Sequence, residues 1–150
     1  MKDLETLVLH RHMMFEELWQ PNKRQHSVGD RAYRKWVKSM MQAKRYVGFL
    51  AETEDGYIVG SGCVWLREVH PFPGSPTTHA PYILSMFTER NYRGKGVATM
   101  IITEAKKWSH KKGFKIISLH ASHLGRSVYR KNGFERTWEM RVRLANKVSH

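Results

Sequence analysis

Tyr92-Arg93-Gly94-Lys95-Gly96-Val97-Ala98 joins an apolar, strand-like run to an amphipathic helix through two glycines and two cations. Upstream, Tyr82-Ile83-Leu84-Ser85-Met86-Phe87-Thr88 is β-rich and nearly continuous in apolar character, the pattern of a central strand covered on both faces. Downstream, Val97, Ile101, Ile102, Ala105 and Trp108 recur at three-to-four-residue spacing, while Glu104, Lys106, Lys107 and Lys111 fall mostly elsewhere. The spacing predicts a helix that Gly113 ends. Gly94 and Gly96 free the backbone to turn and to approach a ligand, so consecutive N–H groups can converge on phosphate oxygens at the positive end of that helix. The segment therefore reads as an anion cradle. It has neither the Gly-Lys-Ser/Thr ending of a Walker A loop nor the three glycines of a dinucleotide fingerprint.

Working outward, Asp3 to about Trp19 predicts a helix, with Leu4, Leu7, Val8, Met14, Phe15 and Leu18 as its apolar stripe and Pro21 as its stop. Asp30 is the expected cap of a second helix from Arg31 to about Ala43. Tyr46–Glu52 and Tyr57–Leu66 flank Glu54-Asp55-Gly56, the turn chemistry of an antiparallel hairpin. His70 to Pro81 holds four of the five prolines and predicts a long loop. Lys115–Ala121 predicts a second buried strand, and the alternation from Arg136 to about Leu144 predicts a closing strand.

Arg93-x-x-Gly96-x-Ala98 resembles the acyl-CoA pyrophosphate signature Q/R-x-x-G-x-G/A of the GNAT superfamily of N-acetyltransferases. Ser122-His123-Leu124-Gly125-Arg126-Ser127-Val128-Tyr129-Arg130-Lys131-Asn132-Gly133-Phe134 is similar to the superfamily's later motif ending in Tyr-x-x-x-Gly-Phe, and the two stand in the family's order. The resemblance covers roughly the C-terminal two thirds of the chain. It implies an α/β, GNAT-like (acyl-CoA N-acyltransferase) fold in a single domain over 1–150, with a central mixed, mostly antiparallel sheet flanked by helices. It also marks a departure. GNAT domains usually open with a strand, whereas here the helical pattern begins almost at Met1, so the N-terminal strand is missing or short and an edge is open to pairing with another chain as a homodimer.

The activity implied is transfer of acetyl from acetyl-CoA, a cosubstrate, to a primary amine on a small molecule, peptide or protein, by direct attack in a ternary complex. In the family the pantetheine arm lies between two splayed parallel strands. On this sequence the first of them carries Met86, Phe87 and Thr88, and a bulge near Met86 would bare N–H groups for the arm and for the oxyanion. The resemblance implies that Arg93, Gly94, Lys95, Gly96, Val97 and Ala98 wrap the pyrophosphate, with Thr99 adding a hydroxyl. Ser122 is a contact for the arm, and Arg126 either reaches a phosphate or is a solvated helix-start arginine. Tyr129 matches the tyrosine that protonates the departing thiolate; a phenol with a pKa near 10 suits that task, and the alternative is a packing tyrosine bonded to the main chain. The general base is open among His120, Glu68, His70, His79 and Glu89, with a water chain as a further route.

Net charge of +13 calls for an anionic partner without choosing among nucleic acid, acidic membrane and phosphorylated cosubstrate. A nucleic-acid or ribosome-binding module is the rival class, but most aromatics fall at core positions and no zinc pattern, helix-turn-helix signal or RNA-binding octapeptide appears. A GNAT-like domain that binds acyl-CoA without catalysis is the other alternative. Cys63, the lone cysteine, allows no intrachain disulfide and fits a reducing cytoplasm; in a strand it reads as a core residue ahead of an acyl-carrying nucleophile. No metal site is predicted. No apolar run has the length of a membrane span, and Met1-Lys2-Asp3-Leu4-Glu5 is too acidic for a signal peptide, so a cytoplasmic chain without membrane contact is expected.

Overall fold

Pro21 stops one helix and the residue after it starts the next. In this computed structural model, which describes residues 2–144, α1 spans Lys2–Trp19 and α2 spans Lys23–Gln42. Asn22 caps α2: its side chain accepts from the Gln25 N–H at 2.9 Å, and the Gln25 side chain accepts from the Asn22 N–H at 2.9 Å. This reciprocal box satisfies two otherwise orphaned donors. The expectation that Asp30 opens this helix is thereby corrected. The first turns of α2 are solvent-facing and carry no apolar stripe, so periodicity gave no sign of them, and Asp30 lies inside the helix.

The sheet has the order β1-β2-β3-β4, with β1 at Tyr46–Glu52, β2 at Ile58–Glu68, β3 at His79–Thr88 and β4 at Ser118–Leu119. The first three are antiparallel, whereas β4 pairs parallel to β3 at only Tyr82↔Ser118 and Ile83↔Leu119. Pro81 belongs to β3, opposite Leu66 and ahead of the β4 pairing, so the predicted loop is shorter than expected. Its missing N–H is tolerated because the outer edge is free there. The strand expected over Lys115–Ala121 is reduced to Ser118–Leu119 and is only half-buried, with Ile116 exposed before it and no pairing to β3 after Leu119.

Helices α1 and α2 cover one face of the sheet, where Leu4, Leu7, Val8, Tyr33, Val37, Tyr46 and Cys63 form one core. Helix α3 (Val97–Lys111) covers the other with Ile101, packed near Ala51 and Val59, and Ala105, packed near Val64 and Ile83. Burial on both faces explains the near-continuous apolar reading of β3. Among the described residues no strand precedes α1, and β1 stands at an edge of the sheet.

The expected closing strand does not form. Residues 135–144 have no regular structure, and Trp138, Met140 and Val142 are 81%, 91% and 77% exposed. Alternation states which side chains would share a buried face; it does not supply the neighbouring edge that a strand needs.

Candidate functional site

The site begins where β3 breaks its own alternation. Ser61 pairs with Phe87 and Cys63 with Leu84, so Gly62 alone faces both Ser85 and Met86. Ser85 takes a left-handed φ of 55°, which makes this a bulge rather than a register slip. Leu84 packs on the α1–α2 side, Met86 packs against the α3 side, and Phe87 turns back to the α1–α2 side, where its ring lies 4.9 Å from His10. Gly62 is required here: a Cβ would collide with Met86 Sδ and come within 2.7 Å of Ile101 Cγ2. Since β4 stops at Leu119, β3 runs from the bulge to Thr88 with no strand on its outer edge among the described residues. The two parallel strands pair and then part, leaving a slot.

At the end of that slot a short 3-10 turn, Arg90–Tyr92, leads into the glycine loop. Gly94 (φ 73°) and Gly96 (φ 84°) are left-handed, and a Cβ on either would meet nothing within 4 Å. Their requirement is thus conformational, and the space beside them is empty of protein. Met100 donates the bond to the Gly96 carbonyl at 3.0 Å, so the N–H groups of Val97, Ala98 and Thr99 stand ahead of the helical ladder at the positive end of α3.

The side chains of the two predicted motifs divide into those that face this space and those used elsewhere. Arg93 Nε donates to the Thr88 carbonyl at 2.9 Å and Nη2 to both Glu17 oxygens at 2.9 Å, which ties the loop to β3 and α1. Lys95 is exposed, with Nζ 5.5 Å from the Tyr92 ring centre. The Thr99 hydroxyl accepts from Asn132 Nδ2 at 3.2 Å, and Lys106 Nζ donates to the Asn132 carbonyl at 3.0 Å, so Asn132 clasps α3 to the end of α4 (Arg126–Lys131). Arg126 is exposed at the start of α4, and Ser122 opens the turn before it through a Gly125 N–H to Ser122 carbonyl bond of 3.1 Å.

Tyr129 is held edge-on to Phe134 at 5.8 Å, and Phe134 packs on the core beneath the β3–β4 pair. Burial alone pushes the phenol up to about 12, and among the described residues no group hydrogen-bonds its hydroxyl. It therefore stays protonated at neutral pH. Gly125 allows the ring to lie close, since a Cβ there would sit 2.8 Å from Tyr129 Cε2.

The five base candidates separate by position. Glu68 and His79 are cross-strand partners at the far end of the β2–β3 ladder, with His70 just beyond, roughly 27 Å from the Gly60↔Thr88 end at 3.4 Å per residue. Glu89, directly after β3, has its carboxylate held by the Tyr57 hydroxyl at 2.9 and 3.0 Å, and His120 follows β4 and is exposed. Only these last two share the bulge end of the sheet. Cys63 is 1% exposed and burial pushes its thiol up to about 11, which suits a core side chain and not a nucleophile. Sequence reasoning missed Glu17, Asn132 and the buried His10, whose Nδ1 lies 2.8 Å from Ser61 Oγ and whose pKa is lowered mainly by burial. None of the three has a local signal, because each partner is far away in sequence.

Known proteins share this fold. The sequence profile of the acetyltransferase (GNAT) family matches residues 11–134. A GCN5-related N-acetyltransferase from Ralstonia eutropha JMP134 superposes with a TM-score of 0.84 at 25% identity, over 97% of this chain and 94% of that one. A predicted acetyltransferase from Clostridium acetobutylicum, solved with acetyl-CoA, gives 0.83 at 28% identity, over 95% and 91%. The aminoglycoside N-acetyltransferase AAC(6')-Iy, solved with the bisubstrate analogue CoA-S-monomethyl-acetylneamine, gives 0.63 at 21% identity, over 96% and 93%, a likeness of fold alone. No curated protein matches the sequence.

Proposed function

The chain belongs to the acetyltransferase (GNAT) family of acyltransferases, and from that premise we propose that it moves an acetyl group from acetyl-CoA to a primary amine by direct attack in a ternary complex. The observation that carries this reading is the pair of left-handed glycines, Gly94 and Gly96, that open α3 just beyond the end of β3, on the side where β3 and β4 have parted. In this reading the diphosphate sits on the N–H groups of residues 94–98, assisted by Lys95, while Arg93 acts indirectly by fixing the loop to Glu17 and Thr88. The pantetheine arm runs along the free edge of β3 past Met86, Phe87 and Thr88.

The bulge at Ser85 and Met86 turns backbone N–H groups toward the thioester oxygen, where negative charge develops as the amine attacks. A donor aimed at that charge in a dry site is worth roughly 3–4 kcal/mol. Tyr129 then gives its proton to the sulfur as the carbon–sulfur bond breaks, and its raised pKa keeps that proton in place at neutral pH. Glu89 or His120 takes the proton that the ammonium sheds. We read the chain as one domain working in the cytoplasm, and the unpaired β1 edge and the apolar side chains at Trp138, Met140 and Val142 support a homodimer.

The test is release of free CoA thiol from acetyl-CoA with a panel of amines, alongside binding of acetyl-CoA, duplex DNA and RNA at fixed salt. Amine-dependent thiol release supports the transferase. Binding of acetyl-CoA without release under any amine would leave a non-catalytic acyl-CoA-binding domain, and nucleic-acid binding alone would leave the basic module.

A further inference from the structure

His12 and Glu16 stand one turn apart on α1, and His26 and Asp30 one turn apart on α2, so each helix offers an imidazole and a carboxylate to the other. The pairing is crossed. Asp30 Oδ2 lies 2.7 Å from His12 Nδ1, and Glu16 Oε2 lies 2.5 Å from His26 Nε2. The two imidazoles stack with centres 3.8 Å apart and planes inclined by 21°. Together with Pro21 and Lys23 these side chains line a surface cleft of ≈ 380 Å³. One donor atom each from His12, Glu16 and His26 falls within 4.8 Å of the other two.

We propose that His12, Glu16 and His26 bind a divalent transition-metal ion of the zinc type across the α1–α2 seam, with Asp30 orienting His12 from behind. Two imidazoles and one carboxylate are the donor set such an ion prefers, and three protein ligands leave a fourth position open to water. With an ionised Asp30 accepting from His12 Nδ1–H, the lone pair of His12 is on Nε2, and that nitrogen is the proposed ligand. Ligand atoms about 2.0–2.1 Å from a tetrahedral zinc sit about 3.3 Å apart, so binding draws the three donors together from within 4.8 Å and turns the stacked imidazoles apart. Binding replaces the hydrogen bond between His26 and Glu16 and releases its proton. Arg11 also approaches Asp30, at 3.9 Å, but on Oδ1 and not on the oxygen that holds His12. Lys23 is exposed and can turn to solvent. Absence of a metal spacing in the sequence is no contradiction, because the donors come from two helices on either side of Pro21.

The untagged full chain, stripped with EDTA, is titrated with zinc chloride by calorimetry and with cobalt chloride by visible absorption. The expected result is saturation at about one equivalent, with the d–d absorption of protein-bound cobalt. His12→Ala and His26→Ala abolish both signals, Asp30→Asn weakens affinity about 10- to 100-fold, and His79→Gln, at the far end of the sheet, changes nothing. Circular dichroism checks each fold, and His26→Gln replaces any alanine variant that does not fold. No saturable uptake by the unmutated chain, or uptake unchanged in both alanine variants, would overturn the proposal.

Discussion

Replacing Gly96 by alanine separates the backbone role of the loop from its role toward a ligand. Its φ of 84° is left-handed, and an added Cβ meets no protein atom within 4 Å. The cost to folding is then the left-handed conformation alone, roughly 1–2 kcal/mol. For a chain of 150 residues that lowers Tm by about 2–4 °C per kcal/mol. Gly113, at the other end of α3, has φ 90° and equally open space, so Gly113→Ala carries the same folding cost. The two differ only in what approaches them. At position 96 the new methyl enters the space that the proposed function gives to the diphosphate, and each charge-assisted hydrogen bond lost there costs about 1.5–3 kcal/mol, or roughly 10- to 150-fold in Kd. Calorimetry with acetyl-CoA should therefore show a large loss in Gly96→Ala and none in Gly113→Ala, at similar Tm. Equal affinity in the two variants would refute the cradle.

Tyr129→Phe should lower turnover by about 100-fold or more with little change in KM for acetyl-CoA, since only proton delivery is lost; unchanged kcat would make Tyr129 a packing residue. Because burial sets the phenol at about 12, the rate should show no alkaline fall assignable to Tyr129 up to about pH 11, which a rate profile of the two proteins compares. His10 is harder to protonate folded than unfolded, so the stability it contributes is complete above its unfolded value near 6.5 and is lost as pH falls toward the lower folded value. Tm measured from pH 7.5 down to 5 should drop less steeply in His10→Gln than in the parent, and parallel curves would contradict the shift. Gly62→Ala should destabilise by about 1–3 kcal/mol through overpacking against Met86 and Ile101. Denaturant unfolding with no change would remove the steric account of the bulge.

The sequence carried the β3–loop–α3 unit because every signal there is local: apolar density for Tyr82–Thr88, glycines at 94 and 96, and a three-to-four period from Val97. The charge of Arg93 was legible but its partners were not, because Glu17 stands 76 residues away. Asp30 looked like a cap since it precedes the apolar stripe of α2, and the true cap at Asn22 precedes turns that bury almost nothing. Arg136 to Leu144 alternates as a strand should, yet alternation cannot tell whether a partner edge exists. The bulge lies at Ser85 and Met86, where the sequence places it, and only the left-handed conformation of Ser85 had no signal, since nothing in a lone serine announces that it will face Gly62. The crossed His12–Asp30 and His26–Glu16 pairs were invisible for the same reason as Glu17: helix packing, not spacing, brings them together.

The most direct trial of the account is a crystal structure of the chain soaked with coenzyme A. The account predicts diphosphate density within hydrogen-bonding distance of the N–H groups of residues 94–98, with Arg93 still bonded to Glu17. A diphosphate bound elsewhere, or a loop that stays empty while coenzyme A is ordered on another face, would contradict it.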